Sequence, residues 1–168
     1  MNSLATGHIF RFIALVFFQV ILFNHINFLG NINPYVYILF ILFYPVKNDR
    51  IVFIFISFIL GLTVDMFSDS GGIHAAASVL IAYIRPVFLK FAFGTMYEHN
   101  HVKFDNTDFG AKLVYVALLT FIHHFILFSL EIFNISGILS ILQKTLFSGI
   151  FTILMITLLS IIFSRKTK

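Results

Sequence analysis

The sequence predicts an all-α integral membrane protein of six transmembrane helices, and three observations predict it. Of the 168 residues, 60% are hydrophobic and only 11% charged, where a soluble domain carries about 25% charged residues. Apolar runs of bilayer length, about 20 residues each, follow one another along the chain and leave no polar block for a soluble domain. The Lys and Arg residues collect on alternate connections between the runs. We therefore read residues 1–168 as one transmembrane domain, with spans at about 9–29, 33–46, 51–67, 73–94, 109–133 and 137–163.

The first run carries Arg11 inside its start and is followed by Asn24, His25 and Ile26, with no small-residue cleavage site. It reads as a retained span and not as a signal peptide. The second is short and fenced by Pro34 and Pro45. It spans with little tilt, or with help from residues before Pro34, or it is re-entrant. The last two runs are long enough to tilt. Lys47 and Arg50 lie between spans two and three. Lys90, Lys103 and Lys112 flank the loop between spans four and five, and Arg165, Lys166 and Lys168 form the tail. Connections 30–33, 68–72 and 134–136 hold no Lys or Arg. Basic loops stay inside, so both termini are expected in the cytoplasm. Lys144 alone sits on the wrong side, several residues into span six, where Glu131 is placed to pair with it.

Composition narrows function as well. There is no cysteine, which excludes disulfides and thiolate metal sites. The net charge of +4 is scattered at span ends, so membrane lipid, and not nucleic acid, is the expected partner. Twenty-four Phe with no Trp is best explained by genome base composition.

The polar residues that matter lie around one glycine-rich break, in the stretch ILGLTVDMFSDSGGIHAAASVLIAYIRP at 59–86. Ionisable groups in a bilayer are expensive and mark pairing or function. Ser57, Gly61 and Asp65 recur every four residues on one helix face, and small residues there let another helix approach closely. Gly71 and Gly72 permit a tight turn, and Ser68, Asp69 or Ser70 is placed to cap the next helix. His74, Ser78, Ala82 and Arg85 share a face of that helix. Asp65 and His74 flank the hairpin and are expected to hydrogen-bond as a structural pair. Arg85 lies about 16 Å further along, beyond reach of Asp65, and Pro86 should loosen the turns after it. The preferred reading is packing of the hairpin; a ligand or proton site and a contact with another protein's span are the alternatives.

His123 and His124 are adjacent in mid-span five and point about 100° apart, so they are not expected to serve one site. Glu98, His99 and His101 fall in the longest polar loop and read as solvated. Ser78, His74 and Asp65 lack the nucleophile turn and oxyanion hole of a hydrolase. Neither the His-Glu-x-x-His zinc signature nor a phosphate-binding glycine loop is present, so no catalytic residue, metal or cofactor is expected. A proton or ion channel would need a continuous polar stripe along a pore, and no two neighbouring spans show one.

Gly61-Leu62-x-x-Asp65, six residues, Gly72-Ile73-His74-Ala75 and then Ala82-Tyr83 resemble the MreD family of rod shape-determining membrane proteins. The match covers about 25 residues and the remainder agrees in hydropathy. Family members often have proline before the turn glycine, where this chain has Ser70-Gly71. The resemblance implies a non-enzymatic scaffold of the bacterial cell-elongation machinery in the cytoplasmic membrane. It would bind MreC, a bitopic partner, and so link MreB filaments to peptidoglycan synthases such as RodA and its transpeptidase. The family's fold looks like the six-helix substrate-binding component of energy-coupling-factor vitamin transporters. That likeness supplies the alternative function, a small-molecule-binding transporter subunit, which would need convergent polar groups in a pocket.

Overall fold

The computed structural model describes residues 3–28, 32–46, 49–98, 102, 104 and 107–163. Lys47, His99, His101, Lys103, Arg165, Lys166 and Lys168 lie outside the described residues, as does the side chain of Glu98. The chain is built from α1 (Ser3–Ile21), α2 (Leu39–Leu42), α3 (Arg50–Ser68), α4 (Ile73–Phe93), α5 (Thr95–Glu98), α6 (Phe109–Ile132) and α7 (Ile138–Phe163). Single 3-10 turns occupy Phe23–His25, Val36–Ile38 and Ile135–Gly137. Among the described residues, five helical stretches are long and apolar enough to cross a membrane: Thr6–His25, Arg50–Ser68, Ile73–Phe93, Phe109–Ile132 and Ile135–Ile162. The protein is accordingly a multi-pass, all-α membrane protein.

Local chemistry sets the helix ends. Asp49 caps α3, its carboxylate accepting from the N–H groups of Ile51 and Val52, and Asp108 caps α6 through Ala111 N–H. Asp69 and Phe133 end α3 and α6 in the left-handed region, at φ 50° and 42°. Pro86 does not interrupt α4, which stays helical to Phe93.

The stretch 33–46 departs from the expected helix. It is helical only from Val36 to Leu42, first as a 3-10 turn and then as α2. Pro34 and Pro45 fence it, and the residue before a proline is pushed out of helical geometry. Its course follows from its neighbours. Asn24 Nδ2 donates to Ser68 Oγ at 2.9 Å, so the ends of α1 and α3 meet and the chain must return before Arg50. Tyr37 lies against His74, while the carbonyls of Leu42 and Tyr44 meet Arg85, about 16 Å further along α4. The stretch thus runs beside α4 through the middle of the bundle. Tyr37, Ile38, Ile41 and Leu42 are fully buried there against Leu60, Ile81, Leu119 and Ile156.

Irregular backbone at membrane depth persists only where protein satisfies its polar groups. Four helices do so here, α1, α7, α4 and, through Tyr115, α6. Gln19 of α1, itself fully buried, donates to Pro34 O and accepts from Tyr37 N–H. Thr152 of α7 accepts from Tyr35 N–H at 3.0 Å. Arg85 of α4 holds the far end by donating to the carbonyl oxygens of Leu42 and Tyr44 and to Tyr115 Oη, which in turn donates to Leu42 O. The guanidinium also lies 4.9 Å from the centre of the Phe53 ring. Sequence reasoning placed Arg85 away from Asp65 but found none of these partners.

Candidate functional site

The residues singled out by sequence resolve into a helix joint and, beside it, a buried cluster of rings. The joint holds the last two turns of α3 against the first turn of α4. A Cβ built on Gly61 would meet His74 O at 2.5 Å, Ala75 Cα at 2.6 Å and Ala75 N at 2.7 Å. Only glycine permits that approach, so the small face of Ser57 and Gly61 packs within this chain. Ser57 is fully buried and its hydroxyl turns back to Phe53 O.

Asp65 sits one turn further along. Its carboxylate accepts from Ser70 Oγ at 2.6 Å, from His74 N–H at 3.0 Å and from Ala75 N–H at 2.8 Å. These two amides are otherwise unpaired in the first turn of a helix. The formal N-cap of α4, Gly72, offers no side chain. Asp65 therefore caps α4 from the preceding helix, in place of the expected Ser68, Asp69 or Ser70. The residues of the turn allow it: Asp69, Gly71 and Gly72 all have positive φ, the glycines at 68° and 96°.

The expected side-chain bond between Asp65 and His74 is absent. Asp65 reaches the main chain of His74, and the imidazole turns away to Tyr37. The reason is register: His74 lies at the second residue of α4, so its N–H points back along the axis to the cap while its side chain enters the bundle.

His74, Ser78, Ala82 and Arg85 do share one buried face. Tyr83 faces outward, 60% exposed, with the Arg50 guanidinium 5.1 Å from its ring centre and donating to its carbonyl. Glu131 and Lys144 form the expected pair, 2.7 Å apart and partly exposed.

The ring cluster forms where the stretch 33–46 passes between α4, α6 and α7. Tyr37 Oη lies 3.0 Å from His74 Nδ1 and 2.8 Å from His123 Nε2. His124 Nδ1 lies 2.8 Å from Thr120 O, and its Nε2 3.0 Å from Thr152 Oγ1. The Tyr35 ring sits 5.3 Å, centre to centre, from both His74 and His124. His123 and His124 point apart, His123 toward Tyr37 and His124 toward Thr120 O and Thr152. Tyr35 and Tyr37 are inserted so that one ring lies against each. Sequence reasoning missed Gln19, Tyr35, Tyr37, Tyr115 and Thr152. A glutamine in the middle of span one and two tyrosines just after Pro34 were the available signals.

Chemically, the joint can pack and cap but offers no free acid, base or nucleophile, because every Asp65 oxygen is engaged. No group of three His, Asp or Glu side chains is placed to hold a metal ion among the described residues. An open hollow of about 430 Å³ lies at the α6–α7 connection. Its walls are mostly Phe133, Ile135, Ile138 and Ile141, and its polar members are spent locally, Ser129 on Phe125 O and Asn134 on Ser136 N–H. Compared with family models, curated proteins and solved structures, the chain matches none.

Proposed function

We propose that this protein is a non-enzymatic, MreD-like scaffold of the bacterial cell-elongation machinery. In this reading it resides in the cytoplasmic membrane with both termini in the cytoplasm. It binds an MreC-like bitopic protein, and through it contributes to linking MreB filaments with RodA and its transpeptidase. The stretch 33–46 then counts as a sixth crossing, in a fold resembling the substrate-binding component of energy-coupling-factor transporters.

One observation carries the proposal. Of the residues that carry the family resemblance, Gly61, Asp65, Gly72, His74 and Ala75 converge on a single joint, while Ala82 and Tyr83 lie further along α4, and Gly61 and Asp65 are spent on holding α3 to α4. A motif used in this way fits a protein that presents a rigid surface better than one that turns over a substrate. The vitamin-binding alternative is less favoured. At the bundle centre His74 and His123 bond Tyr37, and the space between the helices is filled by the rings of Tyr35 and Tyr37 and not by a pocket lined with convergent polar groups.

The test is purification of the chain from its native membrane, with the partners identified. An MreC-like protein should co-purify, and depletion of the chain should give rounded cells. Normal cell shape after depletion, with no such partner recovered, would sink the proposal.

A further inference from the structure

The ring cluster contains one histidine whose protonation is fixed and two whose protonation is not. In His124, Nδ1 faces the Thr120 carbonyl, which can only accept, so Nδ1 carries the proton. Its Nε2 then accepts from Thr152 Oγ1, whose oxygen accepts from Tyr35 N–H. Every donor meets an acceptor and a single tautomer satisfies the ring.

Tyr37 Oη, by contrast, lies between two ring nitrogens, His74 Nδ1 and His123 Nε2. A phenol has one proton, so it donates to one ring and accepts from the other. Both directions fit the same heavy-atom positions. In the first, Tyr37 donates to His74 Nδ1 while His123 Nε2–H donates to Tyr37, which leaves His123 Nδ1 bare and His74 protonated at Nε2. In the second, Tyr37 donates to His123 Nε2 while His74 Nδ1–H donates to Tyr37. His123 is then protonated at Nδ1 and His74 Nε2 is bare.

The geometry points to a buried proton-exchange site formed by His123, Tyr37 and His74. Conversion from the first arrangement to the second is balanced. With water as the outside proton donor and acceptor, one proton passes from water to His123 Nδ1, the Nε2 proton of His123 passes to Tyr37 Oη, the phenol proton passes to His74 Nδ1, and the Nε2 proton of His74 passes to water. No net charge stays in the bundle, so the exchange avoids the cost of a lasting buried ion.

A second observation gives the site an open end. His123 is fully buried, and its Nδ1 has no hydrogen-bond partner among the described residues. Two further buried hydroxyls flank the site without a partner. Thr120 Oγ1 lies one turn before His123 on α6, and Ser78 Oγ lies against Tyr37 without a well-formed bond. The surroundings are tightly packed aromatic rings, and a proton is the ligand that needs no cavity.

The charged and titratable groups around the site come from α3, α4, α6, α7 and the stretch 33–46. Asp65 on α3 lies behind the His74 main chain with its oxygens engaged. Glu131 on α6 is paired with Lys144 on α7, and His124 and Tyr35 complete the ring cluster. Arg85 and Tyr115 lie further along the bundle and bond each other. The inference is independent of the scaffold reading.

The experiment is nitrogen NMR of the full chain in lipid bilayers, with 15N-labelled histidine rings assigned by single His→Gln variants. His74 and His123 should each give ring-nitrogen signals averaged between protonated and bare positions, while His124 gives one fixed Nδ1–H tautomer. Tyr37→Phe keeps the ring and removes the shuttle; averaging at His74 and His123 should be lost and His124 unchanged. Fixed tautomers at all three histidines of the unmodified protein would overturn the proposal whether or not the variant folds. Averaging that persists unchanged in Tyr37→Phe would overturn it too.

Discussion

Replacing Gly61 by alanine adds one methyl group at the place where α3 and α4 are closest. The new carbon would lie 2.5–2.7 Å from His74 O, Ala75 Cα and Ala75 N. All three are main-chain atoms, so no side-chain rotation relieves the overlap. Normal contact needs roughly 3.5 Å, so the first turn of α4 must retreat by about 1 Å. That retreat stretches the bonds from His74 N–H and Ala75 N–H to Asp65, now 3.0 and 2.8 Å, toward lengths at which they fail. Overpacking alone costs about 1–3 kcal/mol. Weakening a hydrogen bond to a charged group adds about 1.5–3 kcal/mol. The better helix propensity of alanine returns about 1 kcal/mol. We expect a net loss of about 1.5–5 kcal/mol, and a larger one for Gly61→Leu. Gly7 provides the control: it lies in α1 with nothing within 4 Å of its built Cβ, so Gly7→Ala should be neutral or stabilising by up to about 1 kcal/mol. The assay is reversible unfolding in mixed detergent micelles, followed by helicity. If Gly61→Ala unfolds at the same point as Gly7→Ala, α4 yields freely and the joint is not the rigid element described here.

Further outcomes follow from other contacts. Asp65→Ala should destabilise by about the same amount in the native and His74→Ala backgrounds, because Asp65 holds the main chain of His74 and not its ring; a coupling above about 1 kcal/mol in a double-mutant cycle would contradict this. Arg85→Met should cost about 1–3 kcal/mol by stripping the Tyr44 carbonyl of its donor and leaving Leu42 O to Tyr115 alone, and Arg85→Lys should recover only part of that, since lysine lacks the planar fork; equal stability of Lys and Arg variants would refute the forked contact. Phe133→Gly should stabilise by about 1 kcal/mol, as glycine takes the left-handed geometry without the side-chain penalty, and an unfolding midpoint that falls would argue against that geometry. For orientation, cysteine at Thr167 should resist an impermeant thiol reagent in intact cells while cysteine at Ser70 is labelled; labelling at Thr167 would end the proposed topology.

What the sequence disclosed and what it hid divide along the range of the interactions. Span 51–67 emerged as Arg50–Ser68 and span 109–133 as Phe109–Ile132, because length and hydropathy are local properties. The close approach at Gly61 was legible for the same reason: small residues four apart announce a packed face. The partner of Asp65 was not, because it depends on where the Gly71–Gly72 turn returns the chain. The broken course of 33–46 was hidden more deeply. Its two prolines were visible, but the donors and acceptors that make an incomplete helix tolerable come from Gln19, Arg85, Tyr115 and Thr152, up to 117 residues away.

That dispersal bears on how the chain is made. When residues 33–46 leave the ribosome, only Gln19 of their four supports has emerged. The free carbonyls of Leu42 and Tyr44 wait for Arg85 and Tyr115, and the amide of Tyr35 waits for Thr152. The segment cannot settle among lipid with those groups bare, so it should be the last piece to lodge, closing the bundle after α7 has arrived. Cysteine at Tyr35 should then be reactive in nascent chains halted before Thr152 and shielded in the finished protein. In this sense the second apolar stretch in the sequence is the final one in assembly, a keystone set after the walls.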